Sequence, residues 1–178
     1  MKYVIASDLH GSYYYAKEIV NIFKKENAQK LILLGDIYNH GPRNVLPKDY
    51  SPMEVAQTLN AIKSDLIVIK GNCDSQVDTM ISDFDFIEGM VIGEGERIFY
   101  LTHGHVYNKD ALPKTEFDAV IYGHFHTGFI EKQGRTIIAN AGSTSLPKND
   151  TPNSYIILED GLLTLKDFSG KVIKQLQI

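Results

Sequence analysis

The sequence predicts an α/β fold arranged as a layered sandwich, and three observations carry the prediction. In the first half, short apolar runs alternate with amphipathic helical stretches. The second half is a succession of short apolar runs parted by Gly-containing turns. Five of the apolar runs end in a short polar cluster, as strands do where an open α/β sheet builds its binding crevice. The 178 residues suit one compact domain, 1–178.

In chain order, residues 2–7 form an apolar strand that ends in Asp8-Leu9-His10-Gly11. Ser12 is placed to cap a helix whose apolar positions Ala16, Ile19, Val20 and Phe23 recur at i, i+3, i+4 and i+7. Residues 30–34 are a nearly continuous apolar run, the pattern of a strand covered on both faces, and Gly35-Asp36 follows. Ser51-Pro52-Met53-Glu54 has the form of a helix start, with Pro at the first helical position and a capping-box Glu. Val55, Leu59 and Ile62 make its buried stripe. Leu66–Ile69 is a third strand, ending in Gly71-Asn72-Cys73-Asp74. Arg97–Leu101 leads into Thr102-His103-Gly104-His105, and Ala119–Tyr122 into Gly123-His124-Phe125-His126. Strands over 129–132, 136–139, 155–158, 162–166 and 172–176 complete the chain, with hairpin turns at Gln133-Gly134, Asp160-Gly161 and Ser169-Gly170.

Composition excludes several classes. A chain 43% hydrophobic and 22% charged is an ordinary globular protein. The single cysteine, Cys73, rules out an internal disulfide and favours a reducing compartment. No apolar run approaches the roughly 20 residues of a membrane span. No membrane association is therefore expected, and the expected location is cytoplasmic. The net charge is -4, and no Lys/Arg cluster is longer than a pair, so nucleic acid is not the expected partner.

The five clusters carry the chemistry: Asp8-x-His10, Gly35-Asp36, Gly71-Asn72, His103-x-His105 and His124-x-His126. Five of the six histidines lie in them, and the sixth, His40, follows Asp36 by four residues. If strand alternation continues through each x-spaced pair, both side chains point the same way. Asp8 and His10 then reach one ion, and His124 and His126 reach one ion or two adjacent ones. Imidazole, carboxylate and amide oxygen without thiolate suit Mn, Fe, Zn, Co or Ni rather than Ca or Mg. The seven side chains Asp8, His10, Asp36, Asn72, His103, His124 and His126 exceed what one tetrahedral ion holds. Two divalent ions use them all, with Asp36 the bridge by elimination. Two such ions carry four positive charges, of which Asp8 and Asp36 cancel two. The remainder attracts an anion and stabilises the charge that develops in phosphoryl transfer. A bridging water acidified by the ions supplies hydroxide near neutral pH.

These motifs, in order and spacing from residue 8 to 126, resemble the signature of the calcineurin-like metallophosphoesterase superfamily. The text around them, with Asn140-Ala141-Gly142-Ser143 through Pro147, resembles the small bacterial YfcE-type phosphodiesterases within it. The resemblance implies a four-layer α/β/β/α sandwich of two mixed β-sheets flanked by helices. It implies one ion held by Asp8, His10, Asp36 and His126, and a second by Asp36, Asn72, His103 and His124. Manganese is the implied metal, a small phosphodiester the implied substrate, and a homodimer or higher homo-oligomer the implied assembly.

Asp36, Asn72, Cys73 and His105 are the candidates for a direct part in catalysis, and Arg43 and His40 for substrate binding. Much of the superfamily has His where this chain has Cys73, and a thiol is a poorer proton donor to a leaving oxygen. Turnover should then depend on good leaving groups. His105 can support a ligand or touch phosphate, and Arg43 can clamp phosphate with two hydrogen bonds. Two alternatives compete with diester hydrolysis. A phosphomonoesterase or phosphoprotein phosphatase is disfavoured by Ile37-Tyr38-Asn39-His40-Gly41-Pro42, which lacks Asp-Arg-Gly. A scaffold that has lost catalysis would be free to lose ligands, and all seven positions are filled here.

Overall fold

Two α-helices, two short 3₁₀ helices and twelve strands make up the computed structural model, which describes residues 1–178. The first half runs β1 (Lys2–Ala6), α1 (Tyr13–Lys25), β2 (Lys30–Leu33), α2 (Pro52–Asn60), β3 (Leu66–Ile69) and β4 (Phe86–Ile87). The second half runs β5 (Met90–Glu94), β6 (Arg97–Leu101), β7 (Ala119–Tyr122), β8 (Phe129–Gln133) and β9 (Thr136–Asn140). It ends with β10 (Ser154–Glu159), β11 (Leu162–Asp167) and β12 (Val172–Gln177).

Helix α1 starts at Ser12, whose hydroxyl accepts the Tyr15 N–H at 3.3 Å, and its apolar stripe is buried as the spacing predicts. Helix α2 starts at Pro52 and buries Val55, Ala56 and Leu59. Its capping box does not form. The box would need Glu54 to accept the Ser51 N–H, but that N–H is donated to the Gly11 carbonyl at 2.8 Å. A box forms instead at Ser75 and Asp78, opening a 3₁₀ helix over Gln76–Met80.

The strands assemble into two mixed sheets, ordered β12-β11-β10-β1-β2-β3-β4 and β5-β6-β7-β9-β8. β1, β2 and β3 are parallel neighbours, as are β6 and β7. The three expected hairpin turns form between β8 and β9, β10 and β11, and β11 and β12. Strand alternation sends Tyr3, Ile5 and Ile32 between the sheets, against Phe99, Leu101, Ile121 and Ile137. Val4, Leu31, Leu33 and Val68 face the other way, onto α1 and α2. The outer face of the second sheet, Val120, Tyr122 and Ile138, packs against Phe117 and Phe129 and is crossed by the 102–118 loop instead of a helix. Each large side chain buried in these layers contributes on the order of 2 kcal/mol. No helix is long and apolar enough to cross a membrane.

One buried-edge ion cluster ties the end of α1 to the first sheet. Glu26 bonds Lys166 Nζ at 2.9 Å and the Tyr155 hydroxyl at 3.1 Å, with Lys2 Nζ at 3.3 Å. Burial alone would raise Glu26, but these partners outweigh it and hold its carboxyl below the usual range. A depressed carboxyl stabilises the fold above its unfolded value and loses that contribution as pH falls through the folded one. Glu26→Gln is therefore expected to cost about 1 kcal/mol at pH 7. In urea titrations the gap to wild type should stay constant down to about pH 5 and close below about pH 4.5. A gap that widens as pH falls would contradict the assignment.

Candidate metal centre

The seven predicted ligands meet at the carboxyl ends of five strands drawn from both sheets. Asp8 and His10 follow β1, Asp36 follows β2, Asn72 follows β3, His103 follows β6, and His124 and His126 follow β7. His126 Nε2 lies 3.3 Å from Asp8 Oδ1, and His10 Nε2 lies 3.5 Å from the same oxygen and 3.8 Å from Asp36 Oδ2. On the other side of Asp36, Oδ1 is 3.5 Å from His103 Nε2, which is 3.0 Å from Asn72 Oδ1 and 3.2 Å from His124 Nδ1. Asp36 thus faces both groups of ligands.

The convergence arises differently from the expected strand alternation. The strands stop before the ligands, and Asp8, His10, Asp36, His124 and His126 have φ between 49° and 65°, the left-handed region. Asp and His tolerate that region better than most residues, yet each such residue stores on the order of 1 kcal/mol. The strain is held by surrounding bonds. The Asp8 carbonyl accepts from the hydroxyls of Ser143, Thr144 and Ser145 at 2.9, 3.2 and 3.0 Å. The Asn140 amide donates to the Gly123 carbonyl at 2.7 Å. Gly71 is required because a Cβ there would run into the Asp36 carboxylate and its backbone N–H.

The donor set fits cations. Nδ1 of His10 donates to the Asn39 carbonyl at 2.7 Å, that of His126 to Leu146 at 2.6 Å and that of His103 to Leu34 at 2.6 Å. Each bond ties down Nδ1 and leaves Nε2 as the atom aimed into the centre, to take up a cation or a proton. The Nε2 atoms of His10 and His126 face each other at 3.1 Å, a contact that needs either a proton on one of them or a cation shared by both. Asp8 is fully buried; its Oδ2 accepts the His124 N–H at 2.9 Å, and its Oδ1 has no hydrogen-bond partner. An orphaned buried carboxylate oxygen is costly in a folded protein and marks a place for positive charge. Protonation equilibria show the same demand. Burial would depress His103, but Asp36 and Asp8 push it up to about 9, while burial and the His103 charge push His124 down to about 4. Three acid-and-histidine groups here bring their donor atoms within 4.8 Å of one another: Asp8, His10 and His126; His10, Asp36 and Cys73; and Asp8, Asp36 and His103.

The remaining candidates fall around this centre. Cys73 lines the cleft; its N–H donates to Asp36 Oδ1 at 2.8 Å, and burial followed by the Asp36 charge pushes its thiol up to about 12. Arg43 also lines the cleft, whereas His40 packs its ring edge-on against Tyr50, 5.4 Å between centroids, and is absent from the cleft wall. His105 is exposed, its ring 5.4 Å from that of His103 and 6.3 Å from that of His124. Sequence reasoning assigned no role to Asp74, which accepts the N–H groups of Asp36, Ile37 and Gly71 at 2.8, 2.8 and 2.7 Å. Burial pushes its carboxyl up to about 6 against those three bonds. It also missed Asn39, Asn44 and Lys148 on the cleft wall; a Lys in a polar turn carries no local mark of the site it faces.

The sequence matches the calcineurin-like phosphoesterase superfamily domain over residues 1–160. The chain belongs to this superfamily. Among the superfamily's members, phosphodiesterase YfcE of Escherichia coli strain K12 is 40% identical over 168 residues, covering 93% of this chain and 91% of that protein. A solved structure of YfcE, described as a phosphoesterase from E. coli, superposes with a TM-score of 0.96 at 36% identity, covering 100% of both chains. The two mixed sheets, with helices on the outer face of the first, thus have the metallophosphoesterase fold of YfcE. Vacuolar Protein Sorting 29 from Cryptosporidium parvum shares the fold more distantly, with a TM-score of 0.65 at 17% identity over 99% of this chain and 98% of that one.

Proposed function

We propose that this superfamily member is a divalent-metal-dependent phosphodiesterase with a dinuclear centre. The observation that carries the reading is the orphaned Asp8 Oδ1 beside the two facing Nε2 atoms of His10 and His126. Asp8, His10, Asp36 and His126 would hold one ion, and Asp36, Asn72, His103 and His124 the other. When bound, the ions supply Lewis-acid polarisation of phosphoryl oxygen and lower the pKa of water from about 15.7 towards about 7. The chain's own part is positional. Backbone carbonyls of Asn39, Leu146 and Leu34 lock three imidazoles as Nε2 donors, and Asp74 fastens the Asp36 and Gly71 loops together. Hydrolysis breaks the P–O bond to one arm of the diester; water gives its OH to phosphorus and its proton to the departing oxygen. The kinship with YfcE supports diester over monoester hydrolysis. Manganese as the metal, a homo-oligomeric assembly and a cytoplasmic location belong to the same proposal.

The direct test strips the protein with chelator and adds back Mn, Zn, Fe, Ni, Co or Mg singly. Turnover of bis(p-nitrophenyl) phosphate should vanish on stripping and return best with Mn, with two ions bound per chain by equilibrium dialysis. Full turnover in the stripped protein would sink the mechanism.

Cys73 shapes the leaving-group requirement. It stands on the cleft wall where a proton donor would serve, and a thiol is a weak hydrogen-bond donor to oxygen. Aryl diesters should turn over far faster than alkyl diesters. Cys73→His is expected to raise the alkyl rate by about tenfold or more, within the range of general-acid catalysis. An alkyl rate unchanged by that substitution would remove Cys73 from the argument.

A further inference from the structure

The cleft around the centre has a volume of about 640 Å³, and only one of its twelve lining residues is hydrophobic. Outside the ligands, its wall carries two cations, Arg43 and Lys148, the amides of Asn39 and Asn44, and no carboxylate. Neither cation has an ion-pair partner in the fold, and the guanidinium and ammonium groups make no internal hydrogen bond. They reach the one cleft from two different loops. Gly41, two residues before Arg43, lies against the Cys73 sulfur, whereas the Lys148 N–H donates to the His126 carbonyl at 2.9 Å.

Charge decides what these cations are for. A centre with two divalent ions and two carboxylates has a net charge of two positive units. A monoanionic diester and a hydroxide already neutralise it. Arg43 and Lys148 then add two positive charges that no protein carboxylate answers, in a chain whose overall charge is -4. A polynucleotide would need a continued basic track, which the sequence lacks. A nucleobase would need a stacking ring, and the cleft wall has none beyond the histidine ligands.

We infer that Arg43 and Lys148 form a second anion subsite, and that the preferred substrate is a small phosphodiester with a further carboxylate or phosphate on one arm. This inference rests on the diester-hydrolase reading and specifies its substrate class. The cations bind the distal anion by charge-assisted hydrogen bonds, while Asn39 and Asn44 accommodate a short polar arm. In this role both cations are specificity residues, apart from the bond-breaking step.

The test compares matched p-nitrophenyl esters in the Mn-loaded protein: 2-carboxyethyl p-nitrophenyl phosphate and its neutral isostere, 2-carbamoylethyl p-nitrophenyl phosphate. The leaving group is shared, so the ratio of kcat/KM reads only the distal charge. The carboxylate ester should be favoured by about tenfold or more. In the Arg43→Gln, Lys148→Gln double variant the ratio should fall to about one. A binding readout runs in parallel. 3-Phosphonopropionate should bind the loaded wild type about tenfold more tightly than propylphosphonate by calorimetry, with the difference gone in the double variant. Equal rates on the two esters would overturn the substrate class while leaving diester hydrolysis standing. A preference for a thymidine arm over the carboxyethyl arm would overturn it in favour of a nucleotide substrate. Failure to hydrolyse either ester with any divalent ion would overturn both this inference and the reading beneath it.

Discussion

Asp36→Asn is expected to lower kcat/KM on an aryl phosphodiester by more than about a hundredfold and to reduce the number of divalent ions bound per chain. Asp36 is the only side chain with one oxygen towards His10 (3.8 Å) and the other towards His103 (3.5 Å), so it alone faces both halves of the centre. Loss of a group that merely orients a ligand already costs about 10–100-fold in metal affinity or activity, and loss of the shared carboxylate should exceed that. Asn keeps the volume and can still accept the Cys73 N–H through its amide oxygen, which Asp36 Oδ1 now accepts at 2.8 Å. The fold should therefore survive, and circular dichroism should match wild type. A variant that retains both ions and a tenth of the rate would show that another residue joins the two halves.

Asp74→Ala should produce the largest loss of stability of any single change near the site, about 3–5 kcal/mol by urea denaturation. The carboxylate is 6% exposed and is the shared acceptor for the N–H groups of Asp36, Ile37 and Gly71. Removing it orphans three buried donors at once, each worth about 1–3 kcal/mol. The two loops it joins carry Asp36 and Asn72, so metal affinity should fall together with stability. Asp74→Asn should cost less, because one amide oxygen remains, but its NH₂ would face at least one of the same donors. A loss below about 1 kcal/mol in the alanine variant would mean that the three N–H groups reach water instead.

Much of the site was legible because its residues sit at the ends of recognisable strands. An apolar run followed by Asp, Asn or His is a pattern within ten residues of sequence, and the same holds for Ser12 as a cap and for the Gly-containing hairpin turns. Edge strands were harder. β4 and β5 lie in a stretch without clear signals, because β5 pairs on one side only and exposes Val91 at 55%. The capping box at Ser51 was misread because its N–H is claimed by Gly11, a partner forty residues away. Lys148 and the hydroxyls of Ser143, Thr144 and Ser145 gave no local sign of their task, since each acts on residues more than twenty positions distant.

Sequence alone picked out the seven side chains that meet at the centre and the alternation of helix and strand that places them at strand ends. These depend on residue chemistry and short-range periodicity, which are written into neighbouring positions. Tertiary structure decided that β10–β12 extend the first sheet beside β1, with Ile156 opposite Ile5, when they could equally have joined the second. It decided too that five ligands take up left-handed backbone in place of continued strand. Both outcomes follow from long-range packing and hydrogen bonds that outweigh local preference only after the chain has closed on itself.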